Sequence, residues 1–215
     1  MNKPDLVLFD CDGVLVDSEH ITSSVLQDDL ARHGLIIPNA EIDALFVGGT
    51  MAGVMHTARS MGATLSDDWL DHIYGRVFLA LGEQCKPIPG IEGVLDALDR
   101  AQIPYAIGSN GPLAKMDVTL GCTGLWSRFE GRVYSAHDCA ASKPAPDVYL
   151  KAAADAGIAP TRCAVIEDSA TGARAGVAAG MPVFGYARGG SREKLAPHCI
   201  ALFDDMSQLA GLLGL

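Results

Sequence analysis

Basic side chains are scarce. The 215-residue chain carries 16 lysines and arginines against 26 aspartates and glutamates, for a formal net charge of −10 and a pI of about 4.9. A surface of that sign repels polyphosphates, which excludes nucleic acid held on a broad basic face and an anionic membrane surface. A small phosphorylated molecule is not excluded, because one ion needs only a local cluster of donors. Paired cysteines are also missing: Cys11, Cys85, Cys122, Cys139, Cys163 and Cys199 come no closer than 17 positions. That leaves neither a CxxC redox pair nor a local zinc knuckle, and six reduced core thiols are expected. Long apolar runs are lacking too. Only Leu6–Phe9 precede the first motif aspartate, too few for a signal-peptide core. The charge-free stretch Ala175–Ala187 is broken by Gly176, Gly180 and Pro182 and falls short of the roughly 18 residues of a spanning helix. A cytoplasmic location is expected, with a monomer or weak dimer as the assembly.

What is present is an ordinary globular composition with a repeated grammar. Leu6–Phe9 stops at Asp10, Tyr105–Gly108 stops at Ser109-Asn110-Gly111, and Cys163–Ile166 stops at Glu167-Asp168-Ser169. Short β-rich apolar runs that end in polar tips and lead into helical patterns predict parallel strands joined by crossover helices. Pro182–Tyr186 and Cys199–Phe203 are further candidate strands. The fold class expected is α/β, a doubly wound parallel sheet with an inserted small helical domain. The insertion is residues 18–87, which show no strand pattern. Ile21, Val25, Leu26 and Leu30 recur at helical spacing, as do Val54, Met55, Ala58 and Met61, and then Trp69, Leu70, Ile73, Val77, Phe78 and Leu81. A short helix is also expected over 41–46. The catalytic core is then discontinuous, 1–17 with 88–215. The insertion holds 9 acidic and 4 basic side chains, which should slow capture of anions at low salt.

Ligands of open α/β sheets bind beyond the carboxyl ends of the strands, so the three polar tips should converge. Asp10 and Asp12 from one tip, with Glu167 and Asp168 from another, would crowd four carboxylates together. Such a cluster requires a cation, and an all-oxygen set selects Mg²⁺. Ser109 and Lys143 add donors for phosphate oxygens. The chemistry expected is phosphoryl transfer, with Asp10 as nucleophile, Asp12 as general acid and base, and Lys143 and Ser109 stabilising the transferring group.

Asp10-Cys11-Asp12-Gly13-Val14-Leu15-Val16-Asp17-Ser18 resembles the DxDGxLxDS motif of the haloacid dehalogenase superfamily, in its phosphatase branch. Ser109-Asn110, Ser142-Lys143-Pro144 and Glu167-Asp168-Ser169 resemble the second, third and fourth motifs, so the likeness spans essentially the whole chain. The resemblance implies a Mg²⁺-dependent phosphatase core with Asp10, the Asp12 carbonyl and Asp168 on the metal and Glu167 in or near its shell. It also implies a helical cap of the first type between motifs one and two. The namesake dehalogenases lack an acid at the position of Asp12, which argues for phosphate chemistry.

The nearest subgroup is similar to beta-phosphoglucomutase and the sugar-phosphate phosphatases. Ser109-Asn110-Gly111-Pro112 with Lys115-Met116 looks more like a 6-phosphogluconate phosphatase. The mutase's cap histidine and cap-loop arginine would fall at Thr22 and Met51. The substrate expected is a small phosphorylated metabolite, a sugar phosphate or sugar-acid phosphate; a sugar phosphomutase is the alternative. A phosphoacceptor receiver is a third reading, disfavoured by length and motif order. Besides Ser109, Asn110 and Lys143, the candidate substrate contacts are Glu19, His20, Gly49, Thr50 and Arg76.

Overall fold

The computed structural model describes residues 3–38, 41, 42, 45, 50–188 and 191–215. Its centre is a six-stranded sheet in which every pairing is parallel, with strand order β3-β2-β1-β4-β5-β6. The strands are β1 (Leu6–Phe9), β2 (Tyr105–Ser109), β3 (Val133–Ser135), β4 (Cys163–Glu167), β5 (Val183–Tyr186) and β6 (Ala201–Phe203). From β1 the chain winds one way to β2 and β3, then crosses to the other side of β1 for β4, β5 and β6. The direction of winding therefore reverses around β1. The carboxyl ends of β1, β2 and β4 open on one crevice.

The apolar runs form strands because both sheet faces are covered. Val7 and Phe9 point into one core with Ile107, Ile166 and Phe184, while Leu6 and Leu8 point into the other with Val148, Tyr149 and Val165. On the first side lie α4 (Ile91–Arg100), α5 (Leu113–Cys122), α6 (Trp126–Phe129) and α10 (Leu209–Leu212). On the second lie α7 (Asp147–Asp155), α8 (Ala170–Ala178) and α9 (Arg192–Leu195). α8 sits close to the sheet because its facing residues are small: a Cβ on Gly176 would come within 2.6 Å of Val183.

Between β1 and α4 the described residues contain three longer helices, α1 (Glu19–Arg32), α2 (Met51–Ser60) and α3 (Trp69–Gln84). α3 packs on both α1 and α5. The stripes expected from periodicity are buried at Ile21, Leu26, Leu30, Val54, Met55, Ala58, Trp69, Ile73, Val77 and Leu81, but Met61 follows the end of α2 and is exposed. Of the helix expected over 41–46, residues 41, 42 and 45 are described and helical, and the others lie outside the described residues. The outgoing and returning chains run side by side, with Asp17 N donating to Lys86 O at 2.9 Å and Ile88 N to Leu15 O at 2.9 Å.

A polar knot ties α1 to α3. Buried Asp29 accepts the Trp69 indole N–H at 2.6 Å and also pairs with Arg76, while His33 Nδ1 lies 3.3 Å from the same carboxylate. Asp29→Ala would strand the indole donor and the guanidinium together, and should cost about 3 kcal/mol of stability in urea unfolding.

Two expectations need correction. β3, only three residues long, has no apolar run of its own and was not foreseen. All six cysteines are free, as expected, but they are not all in the core: Cys11, Cys85 and Cys163 are buried, Cys139 and Cys199 are partly exposed, and Cys122 is exposed at the end of α5.

Candidate active site

Parallel register delivers the candidate residues side by side. Phe9 is level with Ile166 on one flank and Ile107 on the other, so Asp10 emerges between the tips of β4 and β2. Asp10 N donates to Ile166 O at 3.0 Å, fixing the tip to its neighbour. Gly13 turns the following loop at φ +78°, and a Cβ there would meet the Asp168 carboxylate at 1.9 Å. The glycine thus supplies both a left-handed turn and the room for Asp168 to approach.

Lys143 is the electrostatic centre. Its Nζ donates to Asp10 Oδ1 at 2.6 Å and to Glu167 Oε1 at 2.8 Å, and lies 4.6 Å from the centre of the Tyr149 ring. Asn110 holds the lysine's own loop: its Oδ1 accepts from Lys143 N at 2.9 Å, and its Nδ2 donates to Lys143 O at 3.4 Å. Tyr149 approaches because β2 has a glycine opposite it, where a Cβ on Gly108 would be 2.9 Å from the ring. Its hydroxyl then reaches Glu167 Oε1 at 2.9 Å.

Glu167 is fully buried and saturated. Besides Lys143 and Tyr149 on Oε1, its Oε2 accepts from Asp168 N, Ser169 N and Ser169 Oγ at 3.2, 3.2 and 3.0 Å. Ser169 also caps α8 by accepting from Gly172 N at 3.0 Å. Only glycine fits at 172, since a Cβ would meet Glu167 Oε1 at 1.5 Å. A carboxylate has about four lone-pair sites. With five donors already on it, Glu167 holds Lys143 and the β4 tip in place.

Asp12 has a separate partner. Its Oδ1 accepts from Lys115 Nζ at 2.7 Å and from the Ser18 hydroxyl. Burial pushes the Asp12 carboxyl up, but Lys115, Ser18 and Lys143 together outweigh it and leave the pKa lowered. Lys115 responds in kind: burial pulls its ammonium down, and Asp12, helped by Cys11 and Asp10, raises it above its ordinary value. Asp10 behaves oppositely. Burial, joined by the charges of Glu167 and Asp12, overrides Lys143 and raises it from 3.8 to about 7. Asp168 is raised well above the usual range by burial, then by Glu19, Glu167 and Asp10.

One oxygen from each of Asp10, Glu167 and Asp168 lies within 4.8 Å of the others. This all-oxygen cluster suits a hard divalent cation, and such a charge would offset the repulsion that raises Asp10 and Asp168. Asp12 is not one of the three; Lys115 and Ser18 hold its carboxylate elsewhere. Above the cluster is a cavity of about 150 Å³ bounded by the sheet tips and by α1, α2 and α3.

The sequence matches the family described as haloacid dehalogenase-like hydrolase over residues 4–180. The chain belongs to that family. It is 28% identical to the 6-phosphogluconate phosphatase of Escherichia coli K12 over 213 residues, covering 99% of this chain and 96% of that one. Two solved structures superpose closely. A conserved haloacid dehalogenase-like protein from Agrobacterium tumefaciens is 32% identical with a TM-score of 0.83, covering 98% of this chain and 97% of its own. A haloacid dehalogenase family hydrolase from Deinococcus radiodurans, solved with phosphate and sodium bound, is 34% identical with a TM-score of 0.80, covering 99% and 98%.

Within this family member, Asp10, Asp12, Ser109, Asn110, Lys143, Glu167 and Asp168 all line the cavity, as do Glu19 and Thr50 from the inserted helices. Gly49 lies outside the described residues. His20 and Arg76 are not among the lining residues, contrary to expectation. Glu19, Thr22, Ser23 and Leu26 set the cavity face of α1, which turns position 20 away; the largely exposed His20 lies 3.4 Å from Asp17. Arg76 is spent on Asp29. Lys115 and Tyr149 are the functional candidates that sequence reading missed. Lys115 was read only as a mark of the subgroup and Tyr149 not at all, although Gly108 inside a strand was a hint that something approaches closely.

Proposed function

We propose that the chain is a phosphoric monoester hydrolase acting on a small phosphorylated metabolite of the sugar-phosphate class, through an aspartyl-phosphate on Asp10. Residues 18–87 serve as the cap and 1–17 with 88–215 as the core. The observation that carries this reading is the arrangement on the β1 tip: Asp10 is bound by Lys143, Asp12 two residues on is bound by Lys115, and both face one cavity. A related hydrolase solved with phosphate supports the choice of ligand.

Mg²⁺ would be held by Asp10 and Asp168, with the Asp12 carbonyl as the family resemblance implies and Glu167 steadying the group from behind. When bound, the ion supplies charge neutralisation for the phosphoryl oxygens. The chain's own residues do the rest. An Asp10 carboxylate oxygen attacks phosphorus as the ester P–O bond breaks, and the departing alkoxide takes a proton from Asp12. Lys143 and Ser109 stabilise the transferring oxygens. Water then gives a proton to Asp12 and attacks the acyl phosphate; the P–O bond to Asp10 breaks, inorganic phosphate leaves and the aspartate is restored. Asp12 rests as an anion because of Lys115. The approach of a phosphate's negative charge raises its proton affinity, so Asp12 takes up a proton from solvent as substrate binds and gives it to the leaving oxygen; the proton it later takes from water returns to solvent when phosphate leaves, and Lys115 favours that return to the anion.

Phosphate release from a panel of sugar, polyol and sugar-acid phosphates tests the reading. Hydrolysis should stop with EDTA and return with Mg²⁺. Turnover that persists without metal would refute the cofactor assignment, and isomerisation of a hexose phosphate without phosphate release would make the chain a mutase.

A further inference from the structure

The cavity has two unlike walls. The core wall carries Asp10 and all three basic lining residues, Lys115, His137 and Lys143. Lys115 is paired with Asp12 at 2.7 Å, and Lys143 with Asp10 and Glu167 at 2.6 and 2.8 Å. The opposite wall is built from α1, α2 and α3. It offers the hydroxyls of Thr22, Ser23, Thr50 and Tyr74 and hydrocarbon such as Leu26 and Val54.

Among the described residues that wall has no basic side chain. Arg76, on the same helix as Tyr74 and Val77, is committed to Asp29. The wall does bring an acidic side chain, since Glu19 lines the cavity. The whole segment 18–87 is acidic by nine to four. A second anionic group seated on this wall would be desolvated with no basic side chain of the wall beside it, since His137, the third basic lining residue, is exposed on the core wall. An uncharged polyhydroxy group would instead meet neutral oxygens: the Thr22 hydroxyl, which donates to Ser18 O at 3.1 Å, can still accept, the Thr50 hydroxyl, which accepts from Gly53 N at 3.2 Å, can still donate, and hydrocarbon lies against the carbon chain.

We propose that the substrate is the phosphate monoester of an uncharged sugar or polyol, and that the site discriminates against esters whose leaving group carries a carboxylate or a second phosphate. This rests on the phosphatase reading and narrows it. Position 22 is a specificity determinant, half-buried on the cavity face of α1.

The test compares matched esters on the Mg²⁺-loaded enzyme: glucitol 6-phosphate against 6-phosphogluconate, and glycerol 3-phosphate against 3-phosphoglycerate. The uncharged member of each pair should have kcat/KM higher by about tenfold or more, the scale of leaving a buried charged group unpaired. Thr22→Lys should move the ratio toward the carboxylated member by at least about fivefold, mainly through KM. Equal rates, or a preference for the carboxylated esters, would overturn the inference while leaving the phosphatase reading in place. Failure to hydrolyse any of the four esters and p-nitrophenyl phosphate alike, with no phosphoenzyme formed, would overturn the phosphatase reading and this inference with it.

Discussion

Asp10→Asn should reduce turnover by about 10⁴-fold or more, the scale of removing a covalent nucleophile, while raising the stability of the metal-free protein. The first effect follows because an amide is too weak a nucleophile to form the acyl phosphate, so no labelled phosphoenzyme should accumulate. The second follows from the raised pKa of Asp10. Its folded value is about 7 against 3.8, so between those pH values the folded state keeps a proton that the unfolded chain has lost. Its stabilising contribution is full below about pH 4 and is lost as pH rises through about 7. Above that point the folded protein holds a poorly solvated carboxylate, which asparagine removes. The Lys143 pairing is lost as well, so the net gain should be about 1–2 kcal/mol at about pH 8 in EDTA, measured by urea unfolding. Substantial activity in the variant would rule out Asp10 as nucleophile. A variant that is both inactive and less stable at that pH would show that the Lys143 contact outweighs the cost of the buried charge.

The strand tips were legible in the sequence because a short, fully buried parallel strand needs an unbroken apolar run, and a ligand-binding tip must interrupt it with polar residues. Leu6–Phe9 before Asp10 and Cys163–Ile166 before Glu167 show both signals within a few residues. β3 lacks the apolar run, since at the sheet edge three residues suffice, of which Val133 and Tyr134 are only partly covered. Residue type, strand-tip position and the likeness to the family motifs together marked Asp10, Lys143 and Asp168 as candidates, but the division of labour among the charges was hidden. Whether a lysine 103 positions from Asp12 reaches it depends on how α5 lies across the sheet, and no local pattern records that. The same holds for Arg76, whose partner Asp29 is 47 positions away. A surface-like arginine on an amphipathic helix suits a substrate anion or a structural carboxylate equally well until the packing of α1 on α3 is known. Asn110 is a related case: it lines the cavity, yet its hydrogen bonds go to the Lys143 backbone.

Replacing Lys143 with methionine should be the most damaging single change to stability at the site. The ammonium is almost wholly buried between two carboxylates, one of them with no exposure at all. Methionine roughly keeps the volume and removes the charge, leaving Asp10 and Glu167 facing each other across the gap. Breaking a buried pair from one side costs about 3–5 kcal/mol, and turnover should fall by about 10²–10³-fold because a preorganised cation is lost from the transferring oxygens. The pH dependence separates this from simple mispacking. Lys143 is the largest influence holding Asp10 down, so without it Asp10 should titrate above its present value near 7. The stability that accompanies a protonated Asp10 is then lost over a window extending above neutrality, and the gap between parent and variant should be wider at about pH 8 than at about pH 5. A pure packing defect would give the same gap at both. Lys143→Arg supplies a second discrimination: it restores positive charge between the carboxylates and should recover part of the stability. A planar guanidinium cannot reproduce the point-like ammonium above Tyr149, so turnover should stay low. Full recovery of rate by arginine would mean that charge alone, and not the placement of Nζ on Asp10, is what the reaction requires.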